Sequence, residues 1–385
     1  MTPFARATAT SFFFFASLNA FVLLPLYVHQ LGGTEIEIGL VMGLYSGVGI
    51  VCQPLIGPWI DAIGKKPFML LGVALLALSA LLALTAPAVG LLALVRALQG
   101  LAYSAFFVAN FSYVIDLIPP SRRGWALGIY GVSGLASTAV APLVGEWVIR
   151  RFGFRPLFGF AIVLAIAAGV LVLPTRERPR TDLPPVQGWE SLREGLRGMW
   201  ERQMVLGLFF GLGSGTLFAF LPTFAESLGV RTLAIFYTAY AGAAMVVRVA
   251  GGRLIDTRGR RAVIVPSMFV QAGGAAVLAA LAFLTGRGVA APALVLVTVT
   301  GLASGGAHGF VYPGLAALVT DYAPAARRAA IIGVFSAMWL VGQTGGAVAF
   351  GYVAHHLGYT PTWTALTLVL LIGAVLSVEL PAEKR

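Results

Sequence analysis

Charge is scarce in this chain. Only 11% of its 385 residues are Asp, Glu, Lys or Arg, against about 25% in a soluble domain. That scarcity excludes a soluble globular enzyme and a disordered chain. Cysteine is limited to Cys52, which excludes an internal disulfide scaffold. Histidine occurs four times, and no second His, Cys or acid stands at ligand spacing from His308, so no metal site is expected. No Walker loop, H-E-x-x-H or Ser/His/Asp set occurs, so neither ATP-driven transport nor catalysis is supported, and no cofactor is expected. Gly211-Leu-Gly213-Ser-Gly215 superficially looks like a nucleotide loop, but it lies inside an apolar run. Small residues there are read as helix contacts. No signal peptide is expected, because Met1–Thr10 runs into Phe12–Phe15 without a small-residue cleavage site.

Apolar residues take up the difference. They make 58% of the chain, and the mean hydropathy is +0.89. A bilayer core of about 30 Å needs about 20 apolar residues per helix. Twelve such runs are present: 8–29, 36–60, 67–86, 88–115, 124–149, 155–174, 204–224, 233–255, 262–285, 289–320, 328–354 and 361–380. The expected fold is an all-α polytopic membrane protein embedded in a lipid bilayer. A polar, Pro- and Arg-rich segment at 175–203 separates a unit at 1–174 from one at 204–385.

The net charge of +11 is spread over short clusters between the runs, so nucleic acid is not expected as a partner. Nineteen Lys and Arg fall on the side of both termini and the long linker. Five fall on the other side: Arg150, Arg151, Arg155, Arg231 and Arg287. Arg96 and Arg248 lie inside helices. Positive charge marks cytoplasmic loops. The count therefore predicts cytoplasmic termini, in a bacterial inner membrane.

The two units repeat each other. Gly57-Pro-Trp-Ile-Asp61-Ala-Ile-Gly64-Lys65-Lys66 matches Gly252-Arg-Leu-Ile-Asp256-Thr-Arg-Gly259-Arg260-Arg261 at a shift of 195. Asp116-Leu-Ile-Pro-Pro-Ser-Arg122-Arg123 matches Asp321-Tyr-Ala-Pro-Ala-Ala-Arg327-Arg328 at a shift of 205, and Gly128, Gly153 and Pro156 find Gly333, Gly358 and Pro361 at that same shift. Two six-helix units in parallel repeat are the sequence sign of a two-bundle transporter.

With these motifs the whole chain resembles the major facilitator superfamily, whose G-x-x-x-D-x-x-G-[RK]-[RK] loop after the second helix is present twice. Arg96-Ala-Leu-Gln99-Gly100 resembles the R-x-x-x-G of the drug:proton antiporter and sugar-efflux-like branches. The fifth-helix antiporter motif is partial: Gly134, then Ala141-Pro142-Leu143-Val144-Gly145. The resemblance implies two pseudo-symmetric six-helix bundles around a central cavity, with helices three, six, nine and twelve facing lipid. It also implies alternating access in a monomer.

A carboxylate at the end of a second helix can face a helix N-terminus, where the dipole and free N–H groups favour an anion. In the family, Asp61 meets helix eleven and Asp256 meets helix five. Lys65, Lys66, Arg258, Arg260 and Arg261 can pair with acids such as Asp116 and Asp321, making a cytoplasmic latch; solvated loop charge is the plainer alternative. Arg248, four residues before the second motif, is read as a gate residue beside Asp256.

Arg96 sits inside a span, where a charge costs about 2.5–3.5 kcal/mol. It should therefore face a cavity or a partner. Glu146 lies at similar depth on helix five, so the pair could couple proton to substrate; alternatively Arg96 snorkels and Glu146 belongs to the outer loop. His308, near mid-membrane between glycines, can change charge near neutral pH, or be a neutral residue bonded to a carbonyl. Asn19, Gln53, Gln99, Asn110, His308, Tyr312 and Gln343 are the expected cavity residues, with Phe218 and Phe220 as aromatic candidates. Gln271 on helix nine departs from the lipid-facing expectation. The expected activity is proton-coupled export of a small amphipathic or apolar compound. The alternatives are a symporter or uniporter for a sugar or metabolite, or a non-transporting receptor or scaffold.

Overall fold

A computed structural model describes residues 1–85, 88–118, 123–177, 200–322 and 328–380. These residues form twelve long helices. They are α1 (Pro3–Gln30), α2 (Glu35–Ile63), α3 (Lys65–Leu84), α4 (Val89–Leu117), α5 (Arg123–Phe152) and α6 (Phe154–Val172). The second set is α7 (Arg202–Ser227), α8 (Ala234–Arg258), α9 (Arg261–Gly286), α10 (Ala293–Tyr322), α11 (Arg328–Leu357) and α12 (Tyr359–Val378). Each coincides with one of the twelve apolar runs.

Local chemistry sets the ends. Thr2 caps α1 by accepting the N–H of Ala5. Thr34 and Glu37 form a reciprocal capping box on α2. The turns α2–α3 and α8–α9 pass through Gly64 at φ 110° and Gly259 at φ 83°, conformations that a Cβ disfavours. Gly153 and Gly358 play the same part before α6 and α12, at φ 83° and 81°. The repeat seen in sequence is therefore also a repeat of backbone turns.

The packing repeats as well. In the first half α1 packs on α5 and α6, α3 on α4 and α6, and α2 on α4; in the second half α7 packs on α11 and α12, α9 on α10 and α12, and α8 on α10. The halves meet where α2 packs on α11 and α5 on α8. Helices α3, α6, α9 and α12 turn Leu81, Val163, Phe283 and Leu368 outward, an apolar surface suited to lipid. Gln271 of α9 points inward instead, and donates to the Phe210 carbonyl of α7 at 3.3 Å. That bond explains an amide on an outer helix.

The end carrying the first residue and the α2–α3 turn is here the near end; the opposite is the far end. At the far end one apolar cluster joins both halves, from Phe21, Val28 and Phe158 to Phe220, Phe236 and Trp363. Toward the near end the clusters are separate. One holds Phe210, Ile264, Leu315 and Phe335 of the second half, and another holds Phe14, Phe68, Leu76 and Phe106 of the first. The far end is further closed by backbone contact. A Cβ on Gly39 of α2 would run into the Ala347 carbonyl of α11, and one on Gly351 would meet the Glu35 carbonyl at 2.8 Å.

Candidate functional site: a cavity between the halves

The site begins with a break in α1. Ala20–Leu23 form a 3-10 turn between the α-helical segments Pro3–Asn19 and Leu24–Gln30. Asn19 stands at this break, and its Nδ2 donates to Ser137 at 2.9 Å and Thr138 at 3.1 Å on α5. Opposite, α7 and α11 lie backbone to backbone. A Cβ at Gly211 or Gly215 would run into the carbonyls of Trp339 and Gln343. The glycines inside the apolar run thus serve close helix packing, and they bring Trp339 and Gln343 to the centre.

A cavity of about 290 Å³ lies between the halves, at the small end of known ligand pockets. Asn19, Tyr45, Arg96, Tyr103, Tyr240, His308, Trp339 and Gln343 are among the residues that line it. Among its described lining residues there is no carboxylate.

Two sets of rings, one from each half, contribute to its wall through Phe15, Tyr45, Tyr103, Tyr240 and His308. In the first half Phe15, Tyr45 and Phe107 surround Tyr103 at centroid distances of 6.0, 5.6 and 5.2 Å. In the second half Phe210, Tyr240 and Tyr312 surround His308 at 5.5, 5.6 and 6.2 Å. The loop shifts relate them: 195 takes Phe15 to Phe210 and Tyr45 to Tyr240, and 205 takes Tyr103 to His308 and Phe107 to Tyr312. The backbone beneath is also shared. A Cβ on Gly100 would strike the Tyr45 carbonyl, and one on Gly305 the Tyr240 carbonyl.

Arg96 is only 6% exposed. Its guanidinium lies 4.5 Å over the Tyr45 ring, a cation–π geometry, and donates to Gln99 Oε1 at 2.8 Å. Arg248 stands against Gly131 on α5, where a Cβ would come within 3.3 Å of its Nη1, and Tyr240, Tyr312 and His308 lie within its electrostatic reach. Five nitrogens here are buried without a partner: Arg96 Nε, Gln99 Nε2, Arg248 Nε, His308 Nδ1 and Trp339 Nε1.

The far end carries polar links between the halves. Glu146 on α5 accepts the N–H of Ala234 at 2.6 Å and pairs with Arg150. It thereby caps α8, whose own N-cap residue makes no side-chain bond. His29 meets Glu226 at 3.4 Å and His355 meets Glu35 at 3.3 Å.

Several expectations change. Arg96 and Glu146 do not pair, because each already has other partners: Tyr45 and Gln99 for Arg96, Arg150 and Ala234 for Glu146. Asn110 does not line the cavity. It is fully buried and ties α4 to α1 and α5 by donating to the Ala7 carbonyl at 3.3 Å and the Tyr130 hydroxyl at 3.0 Å. Gln99 supports Arg96 from behind, and Gln53 is displaced toward the near end; neither lines the cavity. Tyr312 reaches it only through the His308 and Trp339 rings. Phe218 lines it, whereas Phe220 belongs to the far-end core.

At the near end Lys65 pairs with Asp116, as the charge pattern suggested. Glu177 was not anticipated. Its carboxylate accepts the backbone N–H groups of Lys65 and Lys66 and so caps α3. Arg261 donates to the Val378 carbonyl at 2.6 Å. The side chains of Asp61, Asp256 and Asp321, and the surroundings of Gly57 and Gly252, lie outside the described residues.

Comparison with known proteins decides the family. Residues 7–305 match the model of the Major Facilitator Superfamily. The chain belongs to this superfamily. Its members are transporters, so this chain is a membrane transporter and not an enzyme. The staphylopine export protein of Staphylococcus aureus is 23% identical over 97% of this chain and 95% of its own length. The multidrug resistance protein MdtG of Citrobacter koseri is 32% identical over 48% of this chain and 47% of its own length. A crystal structure of a variant of the nucleoside transporter NupG superposes with a TM-score of 0.83 at 16% identity, covering 98% of this chain and 99% of that one. The superfamily fold accounts for the paired bundles and the cavity between them.

Proposed function

We propose that this protein is a proton-coupled exporter of a small amphipathic compound, working by alternating access from a cytoplasmic near end. The observation that carries the reading is the central cavity, sealed from the far end by a shared apolar core and by Glu146 on the N-terminus of α8. The nineteen-to-five split of basic residues supports a cytoplasmic near end. The export and multidrug-resistance relatives support the direction.

Substrate enters the cavity from the near end in the described arrangement. Opening the far end breaks the bond from Ala234 and presents the Glu146 carboxylate to the outer compartment, where it takes a proton. Closure restores Glu146 to Arg150 and Ala234, and the proton is released by way of the cavity to the near-end compartment. Asp61 and Asp256, with Lys65, Lys66, Arg260 and Arg261, hold the near end while the far end is open. The protein works as a monomer in a bacterial inner membrane.

Purified protein in liposomes with an imposed pH gradient and an internal pH dye tests this. Wild type should move substrate against the proton flow. Glu146→Gln should lose gradient-driven flux yet keep substrate exchange across the membrane. Gradient-driven flux at wild-type rates in this variant would reject Glu146 as the coupling group.

A further inference from the structure

We infer that the transported compound is an organic anion with a flat ring system. The inference rests on the reading of the cavity as the transport site, but not on the direction or coupling of transport.

A binding site is complementary to what it lacks. This cavity has cationic and donor groups and no carboxylate in its described lining. Arg96 brings a full positive charge to it from a buried position. Arg248, outside the lining residues, adds a second charge from the other half, within electrostatic reach of Tyr240 and His308. Neither guanidinium has a carboxylate partner among the contacts described above. Arginine remains protonated in proteins, so both charges persist through the cycle. Buried charge without a counter-ion is costly, and a bound anion supplies the counter-charge.

The unpartnered atoms point the same way. Arg96 Nε, Gln99 Nε2, Arg248 Nε and Trp339 Nε1 are all N–H donors. They need acceptor oxygens. The buried acceptors without partners, Asn110 Oδ1 and Gln271 Oε1, belong to residues that do not line this cavity. Two of these donors, Arg96 Nε and Trp339 Nε1, belong to residues that line the cavity, whereas neither unmatched amide oxygen does.

Part of the remaining wall is aromatic, beside aliphatic residues such as Leu18, Val22, Met42 and Leu135. Tyr45, Tyr103, Tyr240 and Trp339 line the space, with rings placed for offset or edge contact with a planar guest. A volume of about 290 Å³ accommodates one or two fused rings and a carboxylate. A highly charged phosphate ester is a poor match, because two guanidiniums set among phenol rings suit one negative charge better than three.

Equilibrium binding to the full-length protein in lipid nanodiscs, read by tryptophan fluorescence, tests the inference with three matched probes: 1-naphthoate, 1-naphthamide and 1-naphthylmethylammonium. Naphthoate should bind at least about tenfold tighter than the amide, the scale of one charge-assisted contact, and the ammonium should bind most weakly. Inorganic phosphate should not displace naphthoate. Arg96→Gln should cost naphthoate about tenfold or more while leaving naphthamide within about twofold. Arg248→Gln, checked by gel filtration for an unaltered profile, provides the same contrast should Arg96→Gln fail to fold. Equal or tighter binding of the amide or ammonium, displacement by phosphate, or no binding of any probe to folded protein would overturn the inference. The measurement needs no gradient. Selective naphthoate binding without proton-driven flux would leave this inference standing and reject the proposed coupling. Proton-driven flux of a cation would do the reverse.

Discussion

The two halves place matching clusters of rings beside the cavity, yet the clusters differ at their centre. Tyr103 sits among Phe15, Tyr45 and Phe107, whereas His308 sits among Phe210, Tyr240 and Tyr312. The charges are also placed differently. Arg96 lies over Tyr45, and its counterpart at the shift of 205 is Gly301; Arg248 has Gln53 as its counterpart at 195. What both halves retain is the glycine under the ring, Gly100 or Gly305, where the facing backbone leaves no room for a Cβ. Packing geometry and the Tyr45–Tyr240 pair are thus common to the repeats, while Tyr103 against His308 and the two arginines are particular to each. A duplicated scaffold becomes an asymmetric site by exchanging side chains on an unchanged backbone.

Breaking the shared part should have the largest effect. Gly305→Val drives a branched side chain into the Tyr240 carbonyl, and overpacking of this kind costs about 1–3 kcal/mol or more. Little monodisperse protein should survive detergent gel filtration, and Gly100→Val should behave alike. Normal yields from either would show that α4–α2 or α10–α8 packing is looser than described. A smaller and more selective effect is expected from exchanging the centres. Both Tyr103→His and His308→Tyr keep a ring in place, so thermal unfolding in detergent should shift by no more than about 1.5 kcal/mol. Only His308→Tyr should reduce transport, because only there is a buried ring nitrogen without a partner. Equal loss in both would mean that the halves contribute alike. The smallest effect on function is expected at Asn110→Ala. It removes bonds to Ala7 and Tyr130 and should cost about 1–3 kcal/mol of stability, with binding of naphthoate unchanged.

The fold was legible because its signals are local. Apolar runs gave all twelve helices, and Gly64, Gly153, Gly259 and Gly358 mark turns whose backbone needs glycine. The site was legible in part. Arg96, His308, Asn19 and Gln343 line the cavity because polar groups inside spans have few other places to go. Asn110 misled for the same reason: a buried amide can equally be a strut between helices. Glu146 on Ala234 and Glu177 on α3 were beyond reach, since both depend on which elements become neighbours in space. Tyr45 and Tyr103 were within reach. Applying the two loop shifts to the spans pairs Tyr45 with Tyr240 and Tyr103 with His308, and the second match leads from a singled-out histidine to an overlooked tyrosine.

The glycine contact between α2 and α11 has a mechanical consequence. Gly39 and Gly43 lie four and eight residues into a helix of 29, so the crossing stands about 6–12 Å from the far tip and leaves roughly 30 Å of helix beyond it. Such a crossing is an off-centre fulcrum. A tilt that parts the short arm by a few ångströms sweeps the long arm several times as far, so a small opening at the far end goes with a wide swing at the near end.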